Sequence, residues 1–129
     1  MRYIILIFIL CSLFVGCKND EIKQGEVIVN KFYNKIEQKN YIGMDSLISF
    51  RFYQNTPYND FKTFLNKKDK EFGRIKKKIL RKSKIIKMST SDTLHLGYEV
   101  NYTNTSTKES FTLIKEDKDF KILKYYISQ

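Results

Sequence analysis

The 129-residue chain contains no tryptophan and no alanine, one proline, one histidine and two cysteines. A lone histidine, His95, leaves no Ser-His-Asp order and no zinc-ligand spacing, and no glycine loop of the phosphate-cradling kind or internal repeat occurs. No catalytic residue, metal or cofactor is therefore expected. Arginine is scarce as well: 20 of the 24 basic residues are lysine. Together with abundant Ile, Asn and Tyr, that bias matches codon usage in an AT-rich genome and makes lysine partly a default surface residue. Nucleic-acid readers lean on the forked guanidinium of arginine, so nucleic acid is not an expected partner. The longest apolar run, Tyr3 to Val15, is also too short to span a bilayer, which takes roughly 20 residues.

What is present begins with a leader. Arg2 supplies a positive charge, Tyr3 to Val15 an apolar stretch, and Gly16 a small residue before Cys17. The run Leu13-Phe14-Val15-Gly16-Cys17 resembles the processing site of bacterial lipoproteins, with Phe14 where leucine is more usual. The resemblance implies removal of residues 1–16 and acylation of Cys17, with residues 17–20 as lipidated anchor and tether. Two or three acyl chains hold a protein stably on a membrane where one does not. Cys11 would leave with the leader, so no second cysteine would remain for a disulfide or metal site. Lys18-Asn19-Asp20-Glu21 resembles the lysine-plus-acidic export signal of surface lipoproteins in the Bacteroidota. The implied location is the cell envelope, at the outer membrane.

The 113 residues that follow suit one domain, and their net charge is about +9 because only Arg2 departs. Charge concentrates between Lys67 and Lys87. Lys76, Lys78, Lys82 and Lys84 form a candidate basic surface, fitted to an anionic surface or an envelope protein partner. A simply solvated charged face is the plainer reading of the same lysines.

Hydrophobic periodicity changes once along the mature chain. From Glu21 to Lys39, residues Ile22, Val29, Phe32, Tyr33 and Ile36 follow helical spacing. A second helical piece is expected over Gly43 to Ser49 and a short extended segment over Phe50 to Tyr53. Pro57 then opens a helix carrying Tyr58, Phe61, Phe64 and Leu65 to a glycine stop at Gly73. Beyond it the pattern is that of strands: Leu94, Leu96, Tyr98, Val100 and Tyr102 alternate with polar residues. Arg74 to Lys87, Glu109 to Lys115 and Phe120 to Ser128 complete an antiparallel meander. The expected class is α+β, with N-terminal helices packed on a curved antiparallel four-stranded sheet in a single domain over residues 21–129.

Phe72-Gly73, Tyr98-Glu99-Val100-Asn101-Tyr102, Glu109-Ser110-Phe111-Thr112-Leu113, Asp119-Phe120-Lys121-Ile122 and the terminal Tyr125-Tyr126-Ile127 together resemble small envelope domains of unknown function with the cystatin-like, or nuclear-transport-factor-2-like, fold. Those domains commonly carry tryptophan where Phe120 stands. The resemblance implies a cone whose concave side holds the helices and often an apolar pocket, for which Tyr33, Tyr98, Tyr102 and Phe111 are the candidate lining. The same four residues would equally make an ordinary core. Some members of that superfamily are isomerases or dehydratases acting through a carboxylate or histidine in the cone. Here alternation turns His95 away from the helices, and Glu109 reads as a lysine partner or an edge charge. The expected function is a membrane-anchored interaction module, the alternative a binding protein for a small apolar ligand.

Overall fold

The structure, a computed structural model, describes the backbone from Arg2 to Gln129 and the side chains from Asp20 onward. Four helical elements precede four strands: α1 (Arg2–Glu37), a 3-10 turn (Ile42–Leu47), α2 (Phe50–Asn55), α3 (Tyr58–Phe72), β1 (Ile75–Ile86), β2 (Thr93–Tyr102), β3 (Ser106–Glu116) and β4 (Asp119–Ser128). The strands form one antiparallel sheet in the order β1-β2-β3-β4, and the α+β class follows. Helix α1 is longer than the apolar period of Glu21 to Lys39 indicates, because helical backbone continues back through residues 2–20. The Cys17 side chain lies outside the described residues.

Strict alternation makes β2 two-faced. Leu94, Leu96, Tyr98, Val100 and Tyr102 are buried while Thr93, His95, Gly97, Glu99 and Asn101 are not. All helices lie on the buried side. Val29, Phe32, Tyr33 and Ile36 from α1 meet Phe61 and Leu65 from α3 and Phe111, Leu113, Phe120 and Ile122 from the sheet. Each such side chain contributes roughly 1.5–3 kcal/mol relative to exposure. Where α1 crosses β2 a side chain has no room: a Cβ on Gly25 would sit 2.2 Å from Leu94 Cδ2. Gly73, at φ +79°, ends α3 in a conformation L-residues rarely adopt, and its N–H donates to Asp69 O at 3.1 Å.

The extended segment expected over Phe50 to Tyr53 is helix α2 instead. Ser49 caps it, its hydroxyl accepting from the Arg51 N–H at 3.3 Å, and Phe52 drops into the core against Phe61. Ile48 bridges Ile122, and the Ser49 N–H donates to Ile122 O at 2.9 Å, pinning this corner to the edge of β4. β3 also starts three residues earlier than expected, since only Thr103 to Thr105 are needed to turn the chain back from β2.

At one end of the sheet the β1–β2 loop meets α1, where Lys87 pairs with Glu21 and Asp92, each at 3.0 Å. The other end holds the last turn of α1, the α3–β1 junction and the close of β2. From Glu21 to Ile36 the helix rises about 22 Å. Among the described residues no helix is long and apolar enough to cross a membrane.

Candidate functional site

Glu109 lies on β3 in phase with Phe111 and Leu113, which turns its carboxylate inward among the helices, 1% exposed. The charge is met on every side. Tyr33 donates to Oε1 at 2.9 Å, Tyr102 to Oε2 at 2.5 Å and Thr107 to Oε2 at 2.7 Å, and the Tyr125 hydroxyl donates to Oε1. Lys68 of α3, 5% exposed, brings its ammonium to 3.4 Å from Oε1. That ammonium also stands 4.8 Å from the Tyr102 ring centre, 5.5 Å from that of Tyr33 and 5.7 Å from that of Tyr125. A carboxylate and an ammonium are thus enclosed by three tyrosines.

The protonation states follow from this geometry. Burial, the largest influence on Glu109, pushes its carboxyl up, but Lys68 and the hydroxyls of Tyr102, Tyr125 and Thr107 together outweigh burial and hold it below the usual carboxylate value. Burial lowers Lys68, and Glu109 opposes that shift. Tyr33, Tyr102 and Tyr125 are all pushed up, first by burial and then by neighbouring negative charge. At neutral pH the carboxyl of Glu109 is therefore ionised and the three phenols are neutral.

Of the candidate pocket residues, Tyr33 and Tyr102 come together on Glu109. Phe111 packs in the core, 5.7 Å from Tyr33 and stacked at 4.8 Å on Tyr125, while Phe32 closes on both Phe111 and Tyr125. Tyr98 packs edge-on to Phe111 at 6.0 Å. Its hydroxyl is buried and, among the described residues, has no hydrogen-bond partner. Tyr98→Phe is accordingly expected to leave stability unchanged or raise it by up to about 1 kcal/mol, read from thermal unfolding, because it removes an unpaired buried polar group. A clear loss of stability would show instead that the hydroxyl has a partner.

Tyr102 alone of the four lines the larger cavity, a cleft of about 620 Å³ at the end of the sheet remote from Glu21. Lys68, Ile36, Ile75, Glu37, Lys39, Asp69, Gly73 and Arg74 complete it. A second hollow of about 400 Å³ is bordered by Tyr98 and Glu109 together with Arg81, Lys82, Gly97, Glu99 and Lys108.

The four lysines of the candidate basic surface do not share a face. Register shifts in β1 between Ile75 and Lys77 and between Leu80 and Lys82 each reverse the alternation. Lys82 and Lys84 stand opposite Gly97 and His95 on the uncovered side. Lys78, opposite Val100, turns inward, with its ammonium 4.7 Å from the Tyr33 ring centre and donating to Asn30 Oδ1 at 2.7 Å. Lys76 falls within the first bulge. His95 faces outward, its Nδ1 3.2 Å from the Thr112 hydroxyl.

No family model and no curated protein matches this chain. The sequence offers a lysine partner as one of two readings of Glu109, and the structure bears that one out against the edge charge, but that reading singles out neither Lys68 nor the burial of the pair. The signal for Lys68 is its place on the α3 stripe of Phe61, Leu65 and Phe72, where a lone charge among apolar residues needs a buried partner. For Glu109 it is the two-residue period it shares with Phe111 and Leu113.

Proposed function

We propose that the mature chain is a lipid-anchored envelope protein that acts as an interaction module, resting its uncovered sheet face on anionic lipid headgroups. The observation that carries this reading is the composition of that face. By strand register, Lys77, Lys82 and Lys84 of β1, Lys108 of β3 and Lys124 of β4 project from the side opposite the helices and are exposed. Glu99 stands among them, and Arg81 holds it at 3.0 Å, so the lysines keep a net excess of charge. Near an anionic surface each lysine adds about 1 kcal/mol, an attraction that salt weakens. Acylation at Cys17 would supply the tether, leaving a modest attraction enough to orient the domain.

The test uses the full-length protein reconstituted into vesicles of zwitterionic lipid with and without anionic lipid, and reads labelling of lysines by a water-soluble amine reagent. Lys82, Lys84, Lys108 and Lys124 should be protected only where anionic lipid is present, while Lys67 at the helical side labels equally in both. Protection of Lys124 should vanish in a Lys82→Glu, Lys84→Glu, Lys108→Glu variant, and protection of all four lysines should vanish at high salt. Equal labelling in the two vesicle types overturns the docking surface. Palmitate incorporation that persists in Cys17→Ala overturns the anchor.

A further inference from the structure

The 620 Å³ cleft lies in the size range of small-molecule sites and combines apolar walls with opposed charges. Ile36 and Ile75 line it together with Tyr102, and Lys68 also borders it. Tyr102 and Lys68 are not free to move: both are fixed by Glu109, the hydroxyl at 2.5 Å and the ammonium at 3.4 Å. The buried cluster thus makes one side of the cleft rigid before any ligand arrives, which removes an ordering cost from binding.

Around this cavity, Lys39 and Asp69 stand 3.9 Å apart and largely neutralise each other. Two charges lack a direct partner, although Glu37 lies near enough to Lys78 to favour its charged form. Among the described residues neither the Arg74 guanidinium nor the Glu37 carboxylate makes a hydrogen bond or an ion pair, although both border the cleft. Arg74 is positioned through its backbone, whose carbonyl accepts the Thr103 N–H at 2.8 Å, which leaves the side chain available.

We infer that this cleft binds a small zwitterion with an apolar side group, of the amino-acid or dipeptide class. Arg74 takes the carboxylate through its paired N–H donors, Glu37 takes the ammonium, and the apolar group lies against Ile36, Ile75 and the Tyr102 ring. The lysine-bearing sheet face plays no part in it, so this inference stands or falls independently of the membrane reading.

Calorimetric titration of the detergent-solubilised full-length protein with glycylleucine, its N-acetylated form and its C-terminal amide tests the assignment. The free dipeptide should bind, and each capped form should bind about tenfold or more weakly, since each loses one charge-assisted contact. Arg74→Gln should weaken the free dipeptide while leaving the amide unchanged, and Glu37→Gln should do the same for the acetylated form. Both substitutions are at the protein surface and spare the buried cluster. No heat with the free dipeptide, or equal affinity for all three compounds, overturns the inference.

Discussion

Replacing Glu109 by alanine is expected to destabilise the fold by about 3–5 kcal/mol, because it leaves the Lys68 ammonium buried without a counter-charge. Three tyrosine hydroxyls and that of Thr107 lose their acceptor in the same step. For a domain of this size such a loss lowers the melting temperature by roughly 10–20 °C. Lys68→Met should cost less than Glu109→Ala, since the four hydroxyls still solvate the carboxylate that remains. The double variant Glu109→Ala, Lys68→Met should cost less than the sum of the two single variants, and the double-mutant cycle gives the coupling directly. Denaturant unfolding measures all three. A loss below about 1 kcal/mol for Glu109→Ala would mean that water already reaches the carboxylate and that the enclosure does not hold the fold together. Acid acts on the same group. Its folded value is depressed, so its stabilisation is present above the unfolded value near pH 4.3 and disappears as pH falls through the folded one.

The second large effect lies at the alkaline end. Tyr33, Tyr98, Tyr102 and Tyr125 are all held as neutral phenols well above the ordinary tyrosine value, burial being the first cause for each. An unfolded tyrosine loses its proton near pH 10. Above that pH the native state binds more protons than the unfolded one, and stability falls as pH rises by about 1.4 kcal/mol per unit for each such tyrosine. Four together make roughly 5 kcal/mol per unit, enough to consume an ordinary stability of about 5–15 kcal/mol within a few pH units. Lys68 works in the opposite sense. Its folded value is lowered, so stability rises with pH between that value and about pH 10.5 and the gain stays constant above it. The expected record is a cooperative wave of tyrosinate absorbance above pH 10 that coincides with loss of the circular dichroism signal. One wave near pH 10 with the backbone signal intact would show that the phenols are open to solvent.

How far these features can be read from the chain depends on whether their cause is local. The β2 face is legible because Leu94 to Tyr102 alternate without a fault, and the α3 helix because Pro57 and Gly73 bracket its stripe. Helix α2 is hidden: six residues are too few to show a period, and only the capping potential of Ser49 announces it. The bulges in β1 are invisible because Lys76, Lys77 and Lys78 offer no alternation to interrupt, so the facing of each lysine is decided by its pairing with β2. The Glu109 cluster is half visible. Phase gives the inward turn of Glu109 and the misplaced charge of Lys68, but their meeting is a long-range event set by how α3 crosses the sheet.

The same bulges bear on what the molecule avoids. β1 is an edge strand whose backbone groups on the outer side are unclaimed, the usual template for joining a second copy. Its two irregularities kink that template, and its run of like charges would face an identical run on any copy that tried to zip alongside. On the far side of the sheet, the Ile48–Ile122 bridge already occupies part of the β4 edge. Copies crowded side by side on one surface would thus find neither margin inviting, and the sheet stops at four strands where a smoother, less charged chain would have gone on to aggregate.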